Sequence, residues 1–75
     1  MKLSEVELNK FCVVKSVDVN DEKTRFRLME LGLVNGCRIR IEKRSVFKKT
    51  LLIIFSSSCF TLKTNLAKQI EVKYA

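Results

Sequence analysis

The chain has 75 residues, 47% hydrophobic and 31% charged, with fifteen Lys and Arg against eight Asp and Glu for a formal charge of +7. That length supports one domain, residues 1–75, with a thin core and no room for two lobes around a deep catalytic cleft. There is no His, which excludes a Ser-His-Asp or Cys-His catalytic unit and any His-ligated metal site.

The longest apolar run, Leu51 to Phe55, is far short of the roughly 20 residues of a membrane-spanning helix. Lys2 is followed by Glu5 and Glu7, so no apolar core of a secretory signal is expected. Cys12, Cys37 and Cys59 form no Cys-x-x-Cys pair and no even-numbered disulfide set. They read as small, mostly buried apolar residues of a reduced compartment, with a three-thiolate soft-metal site as the alternative.

In chain order, Phe11 to Val17 is rich in β-branched and aromatic residues and predicts a strand. Asp21 reads as a helix N-cap and Glu22 as a first-turn acid, so a short helix is expected over about residues 22–31. Leu28 and Leu31 are three apart, as are Phe26 and Met29, which predicts one broad apolar stripe that docks the helix. Gly32 supplies the left-handed residue that ends it. Asn35-Gly36 predicts a turn, because both residues tolerate positive φ.

From Cys37 the pattern alternates strictly: Cys37, Ile39 and Ile41 against Arg38, Arg40 and Glu42. That is a half-buried strand with a charged outer face. Residues 43–49 read as a basic hairpin, and Leu51 to Phe55 as a strand buried or covered on both faces. Ser56 to Ser58 reads as a turn, Phe60 to Lys63 as a strand, residues 64–68 as a helical turn, and Ile70 to Tyr74 as a last strand. Five or six short strands with turn signals at this spacing predict a mainly β fold, a small closed barrel or sandwich. Closure would remove the edge that Leu51 to Phe55 otherwise exposes.

The stretch Arg25-Phe26-Arg27-Leu28-Met29-Glu30-Leu31-Gly32-Leu33-Val34-Asn35-Gly36 resembles the signature of the FeoA family, ferrous iron transport protein A. That signature is a basic short helix, Leu-Gly-Leu, two variable residues and Gly. Leu3 to Val6 resembles the family's opening turn, and Thr61-Leu62-Lys63 with Ala67, Ile70 and Val72 its closing pattern. Asn9 stands where the family has a glycine, and Lys48-Lys49-Thr50 replaces its Gly-Asp-Pro-like hairpin. The resemblance implies an SH3-like barrel in the free-standing form, cytoplasmic, regulatory and not an enzyme. The implied partner is the FeoB-type GTP-dependent membrane transporter. The residues explain the motif structurally: Leu28 and Leu31 dock the helix, Gly32 ends it, Leu33 plugs the barrel mouth and Gly36 turns into the next strand.

Residues 23–49 carry nine bases and two acids, whereas residues 1–22 carry three bases and five acids. Candidate partner-binding residues are therefore Arg38 and Arg40 on one strand face, with Lys43, Arg44, Phe47, Lys48 and Lys49 in the hairpin. Such a face suits an acidic patch on the transporter or the anionic inner leaflet. No cofactor, metal site or small-molecule substrate is expected. Ferrous sites favour imidazole and carboxylate ligands, and helix capping accounts for Asp21 and Glu22. The rival class is a basic small barrel that binds nucleic acid, with Phe47, Phe11 or Tyr74 free to stack on bases.

Overall fold

Alternation decides most of this molecule. The computed structural model describes residues 1–55 and 58–75. After a 3-10 turn at Leu3–Glu5 come β1 (Cys12–Val17), α1 (Glu22–Glu30), β2 (Arg38–Arg44) and β3 (Thr50–Phe55). Then follow β4 (Ser58–Lys63), α2 (Thr64–Ala67) and β5 (Ile70–Tyr74). Of the expected Ser56–Ser58 turn, residues 56 and 57 lie outside the described residues, and Ser58 opens β4.

The strands form one antiparallel sheet in the order β4-β3-β2-β1-β5. Extents of 28 × 26 × 24 Å show that the sheet curls into a small barrel rather than lying flat. Register is fixed by the apolar faces: Ile39 and Ile41 of β2, Leu51 and Ile53 of β3, Leu62 of β4, and Ile70 and Val72 of β5 are all buried. Among the described residues the core holds no buried polar or charged side chain. Bulges fall between Val14 and Ser16 in β1 and between Ile41 and Lys43 in β2. Each bends its strand and tightens the curl.

Two expectations about the sheet are corrected. Leu51 to Phe55 does not lose its edge by closure; as β3 it is an interior strand between β2 and β4. Its second face is also not fully buried, for Leu52, Ile54 and Phe55 are half-buried. The outer edges belong to β4 and β5. Along β5, Lys2 bridges Glu71 and the Val72 N–H donates to the Met1 carbonyl at 2.8 Å.

Helix α1 starts where its chemistry dictates. Asp21 is extended, and its carboxylate accepts from the Thr24 N–H at 3.3 Å and from the Thr24 hydroxyl. The hydroxyl bond is the main reason the Asp21 carboxyl lies below the usual carboxylate range. At the other end the Gly32 N–H donates to Met29 O at 3.0 Å and the Leu33 N–H to Leu28 O at 2.9 Å. Gly32 takes φ +100°. This is a Schellman cap, and it brings Leu33 into the core beside Leu28.

That cap explains a further correction. Leu28 docks the helix, but Leu31 does not: it is 50% exposed. The inward residues of the helix are Thr24, Arg25 and Leu28, and Leu33 just past the cap is fully buried. Phe26 and Met29 also face outward, so the predicted apolar stripe is an exposed face instead.

The Asn35-Gly36 turn forms as expected. Only Gly36 goes left-handed, at φ +88°, and the Cys37 N–H donates to Val34 O at 3.0 Å, as in a type II turn. The three cysteines are not brought together. Cys12 is buried in β1, Cys37 is half-buried before β2, and Cys59 is exposed on edge strand β4, against the expectation of burial. Two strands, β2 and β3, stand between β1 and β4 in the sheet.

Candidate partner-binding surface

Strand β2 carries Arg38, Arg40, Lys43 and Arg44 out of the barrel, but the surroundings divide them. The Arg38 guanidinium carbon sits 4.5 Å from the centre of the exposed Phe11 ring. Beside it Lys10 Nζ lies 5.8 Å from the Tyr74 ring and 2.6 Å from Glu7. Lys10, Phe11, Arg38, Tyr74 and Ala75 line one shallow groove.

Arg40, half-buried, donates to Asn9 Oδ1 at 3.1 Å and lies 3.9 Å from Glu42. Asn9 adopts φ +61°, the backbone state that a family glycine would supply there. Arg44 turns inward: its Nη2 donates to Ser4 O at 3.0 Å and to Val6 O at 2.6 Å. It fastens the N-terminal turn to β2, a role that its place in a basic run does not reveal.

The hairpin end is different. Ser45 Oγ accepts from the amides of Lys49 and Thr50, at 3.0 and 3.2 Å, and Lys48 takes φ +56°. Thr64, at the start of α2, donates its amide to Lys49 O at 2.8 Å and its hydroxyl to Lys48 O at 2.7 Å. The base of the loop is therefore pinned to α2. Val46 and Phe47 project from it, 91% and 81% exposed. Phe47 does not fold back over the barrel end. Lys48 and Lys49 face Lys63 and Lys68 across an open cleft of about 650 Å³ that also includes Thr50, Thr64 and Asn65. Among the described residues Lys43, Lys48, Lys49, Lys63 and Lys68 are in no ion pair. Sequence reading missed Lys63 and Lys68, because only the β3–β4 pairing of Thr50 with Lys63 carries them to the hairpin.

The family model of the FeoA domain matches residues 1–74. The chain belongs to the FeoA family. Its fold is similar to the FeoA protein of Chlorobium tepidum at TM-score 0.92, with 30% identity over 99% of this chain and 70% of that one. It is also similar to the zinc-complexed FeoA of Stenotrophomonas maltophilia, at TM-score 0.81 and 36% identity over 97% of this chain and 89% of that one. That protein is described as a prokaryotic SH3 domain protein and a candidate activating factor of ferrous iron transport. A FeoA-like protein of Clostridium acetobutylicum matches at TM-score 0.85 and 26% identity over 99% of this chain and 85% of that one. No curated protein matches the chain.

Family membership makes this FeoA chain a small SH3-like accessory domain linked to ferrous iron transport. Among the described residues no three His, Cys, Asp or Glu side chains gather as metal ligands. No helix among them is long and apolar enough to cross a membrane. The family's helix-stop motif is where the resemblance implies it: Leu28 and Leu33 in the core, Gly32 and Gly36 left-handed. Leu31 alone departs, at the surface.

Proposed function

We propose that the protein is a cytoplasmic regulatory accessory of ferrous iron transport that acts by binding an FeoB-type, GTP-dependent membrane transporter. The observation that carries this reading is the FeoA-domain match over residues 1–74, with a 30%-identical FeoA protein and a 36%-identical one described as a candidate ferrous iron transport activating factor. The contact surface is the basic face of β2 and its hairpin: Arg38, Arg40, Lys43, Phe47, Lys48 and Lys49, with Arg44 as the clasp that holds the face in shape. Unpaired lysines on a pinned hairpin support it, since such a surface attracts an acidic partner at little ordering cost. The protein performs no reaction of its own on this reading, and any effect on GTP is exerted through the partner.

One observation favours a second reading. Arg38 over Phe11 and Lys10 over Tyr74 form a groove that is both basic and aromatic, the combination that binds single-stranded nucleic acid. An NMR titration of the labelled protein separates the two. Shifts confined to residues 38–49 on adding the transporter's soluble GTP-binding domain support the accessory reading. Silence there, with salt-sensitive shifts at Phe11, Arg38 and Tyr74 on adding a short RNA, replaces it with the second.

A further inference from the structure

Two adjacent large apolar side chains at the tip of a rigid hairpin, ringed by unpaired lysines, form an uncommon surface. Val46 and Phe47 are the two most exposed large hydrophobic residues described. What sets them apart is that they are adjacent, almost fully exposed and flanked by lysines rather than scattered singly. Lys43, Lys48 and Lys49 flank the tip, and α2 and the end of β4 add Lys68 and Lys63 on the same side. The cleft that these last four lysines line contains no carboxylate.

We propose that the hairpin tip is a membrane-docking wedge: Val46 and Phe47 enter the headgroup region of an anionic bilayer while the surrounding lysines meet lipid phosphates. For the two apolar side chains at the tip the geometry favours lipid over protein, which leaves the basic strand face around Arg38 and Arg40 to the transporter. The apolar part is a convex protrusion of two side chains, not a groove or a broad patch. A stable protein interface needs about 800 Å² per partner with an apolar centre, which two side chains do not supply. A bilayer interface accepts single protrusions, and the aromatic ring suits its headgroup depth. Charge agrees with the shape, because lysines near an anionic leaflet act together with the buried apolar area. A second exposed apolar pair, Phe26 and Met29 on α1, is less exposed than the tip and lies on a helix of mixed charge, Glu22 and Glu30 against Lys23, Arg25 and Arg27.

The pinned base makes the wedge ready-formed. Ser45 Oγ and Thr64 fix residues 48–50 before any surface is met, so docking orders little more than two side chains. This inference goes beyond the transporter contact and needs no transporter for its test.

The test is co-sedimentation with phosphatidylcholine vesicles, with and without about 30% phosphatidylglycerol. Binding is expected only with the anionic lipid, and about 0.5 M salt should weaken it strongly. Phe47→Ser, at a position with no packing role, should keep the fold by circular dichroism and lower the partition coefficient about tenfold. Phe26→Ser should leave it unchanged. Phe47→Trp should show a blue-shifted emission on anionic vesicles alone, which reports entry rather than mere adsorption. Equal binding to neutral vesicles, no loss with Phe47→Ser, or no Trp shift overturns the proposal. So does a Phe47→Ser defect seen with the soluble GTP-binding domain or with RNA but not with vesicles. Vesicles hold no transporter, so this idea and the transporter contact fail separately.

Discussion

Phe55 rests its ring edge against Gly32, where a side-chain carbon would stand 2.9 Å from Phe55 Cε2. The helix stop and the end of β3 are thereby locked by the absence of one carbon atom. Phe55 is held in turn by an edge-to-face contact with Phe60, 5.5 Å between ring centres. Gly32→Ala combines a left-handed alanine at φ +100° with that clash and should cost about 2–3 kcal/mol in urea unfolding. In a Phe55→Leu background the same substitution should cost less, because only the backbone strain remains. Equal costs in both backgrounds would show that the ring contact contributes nothing.

Arg44 holds two carbonyls of the N-terminal turn at once. Arg44→Met keeps the side chain's apolar bulk but removes both donors, and should lower stability by about 2 kcal/mol. Arg44→Lys should recover only part of this, since one ammonium cannot reproduce the guanidinium's planar, spread donors. Unfolding curves that superpose on wild type would refute the clasp.

Asp21→Ala removes the acceptor for the Thr24 amide and hydroxyl. The loss should be about 1 kcal/mol, with faster amide exchange at residues 23 and 24. Exchange as slow as in the wild type would mean that the cap is dispensable.

The Met1 ammonium and Lys2 Nζ, the latter at 3.1 Å, both meet the Glu71 carboxylate, which holds its pKa below the usual glutamate range. A depressed pKa stabilises the fold above the ordinary value, about 4.3, and that stability is lost as the pH falls through the depressed one. Melting temperature should therefore drop on the acid side of pH 4.3, and Glu71→Gln should reduce the drop. A Glu71→Gln profile parallel to wild type would show that other carboxylates carry it.

The thiols should react in an order set by burial. Cys59 is exposed, burial raises the Cys37 thiol, and burial pushes Cys12 up to about 11. Alkylation at pH 8 followed by mass spectrometry should find Cys59 first and Cys12 last. Early labelling of Cys12 would mean that β1 opens readily.

The sequence foretold most of the sheet, because alternation such as Ile39, Ile41 against Arg38, Arg40 carries its own face assignment. The helix bounds were equally plain, set by Asp21 and Gly32. What escaped was whatever depends on contacts far along the chain. Spacing marks Leu28, Leu31, Phe26 and Met29 as one apolar set, but a nine-residue helix touches the barrel through a narrow strip, and the Schellman cap gives the remaining place to Leu33. Arg44 looks like its basic neighbours until the Ser4 and Val6 carbonyls arrive from some 40 residues away. For the candidate surface, Lys48 and Lys49 were legible as a charge run. Lys63 and Lys68 were not, because strand pairing assembles that cluster.

The strand order also sets a folding sequence. Strands β1 to β4 each pair with their nearest neighbours in the chain, whereas the longer β1–β5 pairing must wait for β5, some 50 residues beyond β1. Closing that long loop should be the slow step, as non-local pairing generally is. The most aggregation-prone run, Leu51 to Phe55, lies inside the early-forming meander with a partner on each side. A chain still being synthesised can thus shelter its stickiest segment before its final strand exists.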